Sequence, residues 1–410
     1  MLRVQMLNMI EQRMRHLALP LSINFWDERE VMLGDPSKVK LFVRSPLALT
    51  SLAHPSLGKL AQNYVEQHID LEGSMRDIMR LGERLCDAGA LMNKKNWLNL
   101  SWLLQPQRNA RKNISYHYDV SNDFYTLFLD KRMVYSCAYF KHPDDSLDSA
   151  QEQKLDHICR KLNLGSGEQF LDIGCGWGGL IFLAAENYGV HATGITLSQN
   201  QYDYVNQQII QRGLQSHCKV LLMDYQKLPA TEQYDKISSV GMFEHVGIKN
   251  LPCYFGKIHQ LLKPGGLVMN HGITDTNLNG NGLGSDIGEF IEQYVFPGGE
   301  LTHVTNVVKA MSQQNLECLD VENLRPHYAK TLWHWVDRLE AQQNNAKGMI
   351  GEKKYRIWQI YMGGSAYAFE RGWMSLFQIV AGKPLADGSL PYPFTREHVY
   401  ASAPALTTQH

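Results

Sequence analysis

The sequence lacks paired cysteines and any cysteine spacing that would suit a metal ion. Its seven cysteines are an odd number, lie far apart, and include no C-x-x-C pair. Disulfide frameworks and structural zinc sites need paired or closely spaced cysteines. We therefore expect reduced thiols, no bound metal and the reducing environment of the cytoplasm.

The sequence also lacks a charge excess and long hydrophobic runs. Its 40 Lys and Arg residues oppose 41 Asp and Glu residues, so no overall field favours a nucleic acid partner. No apolar stretch reaches the roughly 18 residues of a spanning helix. Charged residues interrupt the first 19 residues, which lack the continuous apolar core of a signal peptide. We expect a cytoplasmic protein, with peripheral membrane contact left open.

A chain of 410 residues is long enough for two domains. The sequence pattern of residues 1–90 predicts a small α+β domain. Met1–Leu17 is amphipathic, which fits either a core-facing helix or a contact with a membrane or partner. Further on, short apolar segments indicate strands and longer periodic segments indicate helices. The predicted strands are Ile23–Trp26, Val31–Leu33 and Val39–Val43, and the predicted helices are Ser56–His68 and Ser74–Asp87, split by residues 70–73.

Residues 91–112 mix cationic side chains with tryptophans and leucines. Lys94 and Lys95 flank Trp97, and Arg108 and Arg111 follow Pro106. Cations beside aromatic side chains suit an anionic bilayer surface. An ordinary linker with a solvated charge run fits the same pattern.

Residues 113–385 alternate between strand and helix patterns, which predicts a doubly wound, Rossmann-like α/β sheet with helices on both faces. After Thr274 the alternation gives way to a mobile loop at Asn277–Gly288 and to helical, aromatic insertions; residues 386–410 form a tail. The predicted strands are Gln169–Ile173, His191–Ile195, Cys218–Leu222, Tyr234–Val240, Leu267–Asn270, Glu317–Val321 and Trp373–Val380; the predicted helices are Ser149–Leu162, Leu180–Tyr188, Ser198–Arg212, Lys249–Leu262, Tyr328–Leu339 and Tyr355–Phe369.

A glycine turn, residues 174–179, follows the first of these strands and predicts a nucleotide-binding site. A dinucleotide would need an acidic residue about 20 residues further on, and Thr196 stands there instead. The turn also lacks the Gly-Lys-Ser/Thr ending of a phosphate-binding loop. These absences favour S-adenosylmethionine, with Thr196 and Gln201 contacting the ligand. Asp172 can accept hydrogen bonds from it, and Asp224 can receive an adenine amino group.

Six segments resemble the cyclopropane-fatty-acyl-phospholipid synthase family, which includes the mycolic acid cyclopropane synthases. The resemblance extends from about Ile114 to Phe377, nearly two thirds of the chain. The segments are Leu171–Gly179; His117–Asp119 with Ser121–Tyr125; Tyr135–Phe140; Thr196–Ser198 with Gln201; Ser239–Gly247; and Tyr294–Gly299.

The resemblance implies an S-adenosylmethionine-dependent enzyme with a class I methyltransferase sheet and an N-terminal lipid-binding domain. It implies an unsaturated phospholipid substrate, reached by peripheral association with the inner face of the membrane; a homodimer stays open. The implied cofactor-binding residues are Tyr135, Ser136, Asp172, Gly174, Cys175, Gly176, Thr196, Leu197, Ser198, Gln201, Asp224 and Tyr225.

The resemblance also implies the chemistry. The alkene of a lipid chain attacks the sulfonium methyl group, and a base removes a proton from the resulting carbocation to close a cyclopropane ring. In the family this base is a bound bicarbonate. The matching residues would be Cys137 and Ile273 through backbone N–H groups, Glu244 and His271 as orienting and proton-relaying groups, and Tyr328 as a hydrogen-bond donor.

One position departs from the family pattern, because Ser365 stands where many bacterial members have a cysteine. This excludes a mechanism that needs that thiol and leaves the bicarbonate mechanism intact. Three functions compete: cyclopropanation or related methylation of an acyl chain, methylation of a small molecule, and a catalytically silent lipid-binding scaffold. Cys137 and the separate N-terminal domain favour lipid. Glu244, His271 and the intact glycine turn oppose the scaffold.

Overall fold

The computed structural model describes residues 19–53, 55–92, 120–230, 234–278, 285–295 and 300–400. The predicted helix Met1–Leu17 and nearly all of residues 91–112 lie outside these ranges. The chain divides into two compact units, each discontinuous in sequence, whereas the predicted domains are continuous segments. The first unit is Met1–Val120, Leu283–Gly298 and Leu332–Arg371; the second is Ser121–Gly282, Gly299–Thr331 and Gly372–His410.

The first unit contains a four-stranded sheet in the order β2-β1-β3-β4. Strand β1 pairs in parallel with β3 and antiparallel with β2, and β3 pairs antiparallel with β4. The sequence analysis missed β4, because it treated residues 70–73 only as a break between helices. The strands are β1 (Leu21–Phe25), β2 (Glu30–Met32), β3 (Val39–Val43) and β4 (Ile69–Glu72).

The helices of the first unit come from three separate parts of the chain. Helix Ser285–Tyr294 corrects the predicted mobile loop, whose last four residues begin this helix instead. Arg356 binds helix Glu352–Arg371 to β4, since its guanidinium donates to Asp70 Oδ1 at 2.6 Å and to the Ile69 carbonyl oxygen at 3.3 Å. The other helices are Leu49–Ala53, Leu57–Val65, Met75–Met92 and Gln343–Ile350; helix Arg325–Ala341 has residues in both units.

The second unit contains a seven-stranded sheet in the order β10-β11-β9-β8-β5-β6-β7. The pairs β5–β6, β6–β7, β5–β8 and β8–β9 are parallel, and β11 is antiparallel to both of its neighbours. The predicted doubly wound α/β sheet is confirmed. The strands are β5 (Gln169–Ile173), β6 (His191–Thr196), β7 (Cys218–Leu222), β8 (Tyr234–Val240), β9 (Leu262–Asp275), β10 (Glu317–Asn323) and β11 (Met374–Gly382).

Helices cover both faces of this sheet. Consecutive residues Phe170 and Leu171 of β5 are buried in different hydrophobic clusters, as expected where side chains alternate between two covered faces. The sequence analysis missed helices Asn122–Thr126 and Val304–Ser312, and it made β9 too short. The helices of the second unit are Asn122–Thr126, Leu147–Lys161, Gly179–Tyr188, Gln199–Gln211, Leu251–Leu261, Val304–Ser312 and Glu397–Tyr400. None of the described helices combines the length and apolarity needed to cross a bilayer.

The glycine turn between β5 and helix Gly179–Tyr188 requires left-handed backbone at Gly174, Gly176 and Gly178, whose φ angles are 82°, 55° and 84°. At Gly178 a Cβ atom would also lie 2.6 Å from the Phe182 ring. This turn therefore depends on glycine both for its conformation and for the close approach of an aromatic ring.

We expect Gly178→Ala to destabilise the protein more than Gly213→Ala. Both positions have positive φ, which costs roughly 1–2 kcal/mol for a residue with a Cβ. Only at Gly178 does the added atom also meet a side chain, because nothing lies within 4 Å of a Cβ at Gly213. Urea unfolding would measure both losses. Equal losses would show that the Phe182 contact adds nothing.

Candidate active site

The predicted site residues converge because parallel strands end at the same edge of a sheet. Strands β5, β6, β7 and β8 are mutually parallel, so the segments after them meet at one edge of the second unit. In doubly wound sheets this edge is where ligands bind. It carries the glycine turn, Thr196–Gln201, Asp224–Tyr225 and Gly241–His245.

Asp172 lies at this edge but is satisfied within the protein. Its side chain is buried, and Oδ1 accepts a hydrogen bond from Ser238 Oγ at 2.6 Å. Burial raises the pKa of Asp172 to about 6, although Ser238 and the Lys154 charge oppose this. Asp172 therefore ties β5 to β8 beside the turn.

The glycine turn leaves room for a ligand at one position. A Cβ at Gly176 would meet nothing within 4 Å, whereas a Cβ at Gly174 would lie 3.3 Å from Met242. Gly174 and Cys175 both donate backbone hydrogen bonds to the Ile195 carbonyl oxygen at 3.0 Å. The Cys175 thiol is buried, and burial raises its pKa well above the ordinary value, so it stays protonated.

The segment after β6 forms a small hydrogen-bonded cluster. Thr196 Oγ1 donates to Gln201 Oε1 at 2.7 Å and accepts from the Ser198 N–H at 3.1 Å. Ser198 caps helix Gln199–Gln211. Leu197, by contrast, is 41% exposed. Thr196 and Gln201 are thus held together in the buried part of the edge, as a shared ligand contact requires.

The segment after β7 presents an acid beside an aromatic ring. Asp224 accepts a hydrogen bond from the Gln226 N–H at 3.0 Å through Oδ1. The ring of Tyr225 meets the buried Tyr254 ring edge-on, with 5.3 Å between centroids. Tyr225 is partly buried, and burial raises its pKa. Both residues lie on the same edge as the glycine turn.

Residues 134–136 adjoin the start of helix Gly179–Tyr188. A Cβ at Gly179 would lie 3.0 Å from the side chain of Val134. The Tyr125 ring links the two segments, with its centroid 5.5 Å from Tyr135 and 4.7 Å from Trp177. Tyr135 and the adjoining Ser136 therefore lie near the glycine turn, and their contact with a cofactor stays a prediction.

Glu244 is a second buried carboxyl group at this edge whose pKa is raised. It is 9% exposed, and Oε1 accepts a hydrogen bond from the Ile273 N–H at 2.7 Å. The other oxygen, Oε2, is buried and has no partner among the described residues. Burial raises the pKa of Glu244 to about 7 despite the Ile273 hydrogen bond. Near neutral pH this carboxyl is therefore present in both protonation states.

His271 is a second buried group with an unused atom. It lies in β9 beside Gln378 of β11, whose Nε2 is 3.2 Å from His271 Nδ1. His271 Nε2 is buried without a partner in the described part of the chain. Burial lowers the pKa of His271 well below its ordinary value, so the imidazole is neutral. His271 lies two residues before Ile273 in β9, and the Ile273 N–H binds the Glu244 carboxyl.

Cys137 and Tyr328 come together through the start of helix Arg325–Ala341. The Leu324 carbonyl oxygen accepts from the Tyr328 N–H at 3.0 Å and lies 3.9 Å from Cys137 Sγ. Burial raises the pKa of the Cys137 thiol far above its ordinary value. This excludes a thiolate at neutral pH.

The sequence analysis missed three polar residues of this site. Lys154 donates to Ser136 Oγ at 2.9 Å, and Gln151 donates to the Ser136 carbonyl oxygen at 2.8 Å. Gln378 positions the His271 ring. All three side chains are buried. Gln378 is a polar residue in a largely apolar strand, which was an available signal, whereas helix Leu147–Lys161 is rich in polar residues and gave none.

Comparisons with known proteins agree with this geometry. The family model for mycolic acid cyclopropane synthetase matches residues 105–379, and a model of a domain of unknown function matches residues 9–94. A probable fatty acid methyltransferase from Pseudomonas putida is 44% identical over 395 residues, covering 96% of this chain and 100% of the relative. The cyclopropane-fatty-acyl-phospholipid synthase of Escherichia coli K12 is 37% identical over 279 residues, covering 66% and 68%.

Among solved structures, mycolic acid cyclopropane synthase CmaA1 complexed with SAH and CTAB matches with a TM-score of 0.64 and 35% identity. The match covers 68% of this chain and 99% of that one. The family model and these identities show that the chain belongs to the mycolic acid cyclopropane synthetase family and is an S-adenosylmethionine-dependent methyltransferase.

Proposed function

We propose that the protein transfers a methylene group to the cis double bond of an unsaturated phospholipid acyl chain, forming a cyclopropane fatty acid. The observation that carries the proposal is the pair of buried, unpartnered polar atoms Glu244 Oε2 and His271 Nε2. Such atoms are costly unless a ligand satisfies them. We assign to these two atoms the contact with the proton acceptor that the lipid carbocation needs.

S-adenosylmethionine, when bound, supplies the electrophilic methyl group. The open space at Gly176 and the cluster Thr196–Gln201 fit an adenosyl ligand at this edge. Its binding is assigned to the twelve residues implied by the resemblance. Of these, Asp172 acts by holding β5 to β8, because Ser238 occupies its Oδ1 atom.

Bicarbonate, when bound, accepts the proton that ring closure releases. A protonated Glu244 can donate to this anion, and its pKa of about 7 makes that form available near neutral pH. Neutral His271 can relay a proton through Nε2, and the Cys137 N–H can donate to the anion. The Ile273 N–H is engaged by Glu244 Oε1, so it can donate to the anion only after the Glu244 carboxyl turns away. Tyr328 is assigned the remaining hydrogen bond.

Two other outcomes use the same cofactor site. A carbocation that loses a proton from a neighbouring chain carbon, instead of from its new methyl group, gives a methyl-branched unsaturated chain. The Pseudomonas putida relative bears the name of a fatty acid methyltransferase. A small-molecule methyltransferase would need no base of this kind. The unpartnered Glu244 and His271 atoms favour ring closure.

The proposed substrate places the protein at the cytoplasmic face of a membrane. Residues 91–112 supply the cations and aromatic side chains for peripheral contact. We assign the N-terminal residues 1–90 to lipid binding and residues 113–385 to catalysis, and a homodimer is compatible with this assignment.

Purified protein with S-adenosylmethionine and vesicles of cis-unsaturated phospholipid should add the mass of one CH2 group per modified double bond. Mass spectrometry would detect the addition, and proton NMR would identify the cyclopropane methylene. Vesicles of the saturated phospholipid serve as the control and should not change. Methylation of a soluble amine with no change in the lipid would overturn the lipid assignment.

Glu244→Gln should lower kcat by about 100-fold or more, because a positioned proton-transferring group contributes about 10²–10⁴-fold. The affinity for S-adenosylhomocysteine, measured by calorimetry, should stay close to that of the wild type. Equal losses in turnover and in cofactor affinity would instead make Glu244 a cofactor-binding or folding residue.

Relative to the wild type, the Glu244→Gln variant should become more stable as the pH rises. The pKa of Glu244 is about 7 when folded, against an ordinary value of 4.5, so the wild type loses stability between these two pH values. Gln avoids that loss. The difference in unfolding free energy should be near zero at pH 4 and reach at most about 3 kcal/mol at pH 8. Urea unfolding at both pH values would test this, with the exposed Glu317→Gln as a control. A difference independent of pH would contradict it.

A further inference from the structure

Lys154 is a buried cation that the proposed chemistry does not use. It lies in helix Leu147–Lys161 and is 1% exposed. Its Nζ atom donates to Ser136 Oγ at 2.9 Å, and no carboxylate of the described residues lies within salt-bridge distance of it. A buried ammonium group without a contacting anion is costly, and such a cost is retained where the group has a function.

Gln151 lies one helical turn before Lys154 and holds the backbone of Ser136, the residue to which Lys154 donates. Residues three apart share one helix face. Gln151 is fully buried, and its Nε2 donates to the carbonyl oxygens of Ser136 at 2.8 Å and Val134 at 3.3 Å. The Ser136 carbonyl oxygen therefore already accepts a hydrogen bond, and the Ser136 hydroxyl is the side-chain group that can contact a ligand.

The nearby carboxyl groups are engaged elsewhere. Asp130 accepts from the N–H groups of Arg132 at 2.8 Å and Val134 at 2.9 Å. Asp172 accepts from Ser238. Both influence Lys154 only through space, and burial still lowers the pKa of Lys154 to about 8. The positive charge is thus not neutralised by direct contact.

The bond from Lys154 sets the direction of the Ser136 hydroxyl. An oxygen that accepts from an ammonium group must point its own hydrogen away from that group, and the accepted bond strengthens the hydroxyl as a donor. Ser136 is partly buried and stands beside the glycine turn through the rings of Tyr135, Tyr125 and Trp177. Ser136 thus carries a strengthened O–H donor that points away from Lys154, and an anionic acceptor would complete its hydrogen bonding.

We propose that Lys154 is a positioning residue that directs the Ser136 hydroxyl to the carboxylate of the methionine part of S-adenosylmethionine. That carboxylate is the anionic group of the cofactor, whose sulfonium and amino groups are cationic. The proposal rests on the assignment of Ser136 to the cofactor site. It gives the helix before β5 a role in selecting the amino-acid end of the cofactor.

The test compares two ligands that differ in this carboxylate. S-adenosylhomocysteine carries the amino-acid part, and 5′-methylthioadenosine keeps the adenosine and the sulfur without it. Calorimetry on the full chain should show that Lys154→Met lowers the affinity for S-adenosylhomocysteine by about tenfold or more, because a charge-assisted hydrogen bond is lost. The affinity for 5′-methylthioadenosine should not change.

Further variants separate charge, hydrogen bonding and folding. Lys154→Gln keeps an N–H donor without charge and should give a smaller loss. Ser136→Ala should show the same ligand-selective loss, and adding Lys154→Met to it should cost little more, because the two residues act as one unit. Lys257→Met is the matched control, since Lys257 Nζ donates to the Leu228 carbonyl oxygen at 2.6 Å in a partly buried position; neither affinity should change.

The contrary results are equally specific. If Lys154→Met or Lys154→Gln lowered the affinity for both ligands equally, Lys154 would have only a structural role. An unchanged affinity for S-adenosylhomocysteine in all the Lys154 and Ser136 variants would remove both residues from the cofactor site. These assays contain no lipid, so failure of the lipid assignment would leave their outcome intact, and the reverse also holds.

Discussion

The parallel pairing of β5 with β6 and β8, and of β8 with β9, is the constraint on which the site depends. Because these strands run in one direction, the segments that follow them meet at one edge of the sheet. The Glu244 bond to the Ile273 N–H then joins the end of β8 to β9. Without this arrangement, Asp172 and Glu244, about 70 positions apart in sequence, would not lie at one edge of the sheet.

Desolvation is the second common feature of the site. Burial drives Glu244, Asp172, His271, Lys154 and Cys137 toward their neutral forms. Chemistry that passes through a carbocation benefits from such surroundings, since a buried thiolate or carboxylate could trap the cation. In the proposed chemistry, an exchangeable proton on Glu244 near neutral pH would let the site accept an anionic base. The protonation states thus follow from packing rather than from contacts between opposite charges.

Much of the sheet was predictable, because β5 and β7 are short, largely apolar runs bounded by turns, and β8 kept its predicted bounds although it contains Asp235 and Lys236. The segments that were predicted wrongly depend on contacts that a local pattern does not reveal, or contain residues that suggest another structure. Strand β4 contains Asp70 and Glu72 and forms only by pairing with β3. The end of β9 extends past Asn270 because it pairs with β11 as far as Asp275. Helix Ser285–Tyr294 begins in a stretch whose glycines suggested a loop.

The sequence by itself determined the doubly wound sheet, the glycine turn and, through its motifs, the family and its S-adenosylmethionine dependence. These depend on short-range patterns: apolar runs, glycines with positive φ and absent acids. Tertiary structure alone decided how the site is charged and held. These features join separate segments of the chain: the hydrogen bonds of Gln151 and Lys154 to Ser136, and the contact of Gln378 with His271. The unpaired oxygen of Glu244 likewise results from how the chain packs around it. Their burial, which no local pattern encodes, sets the protonation of the site.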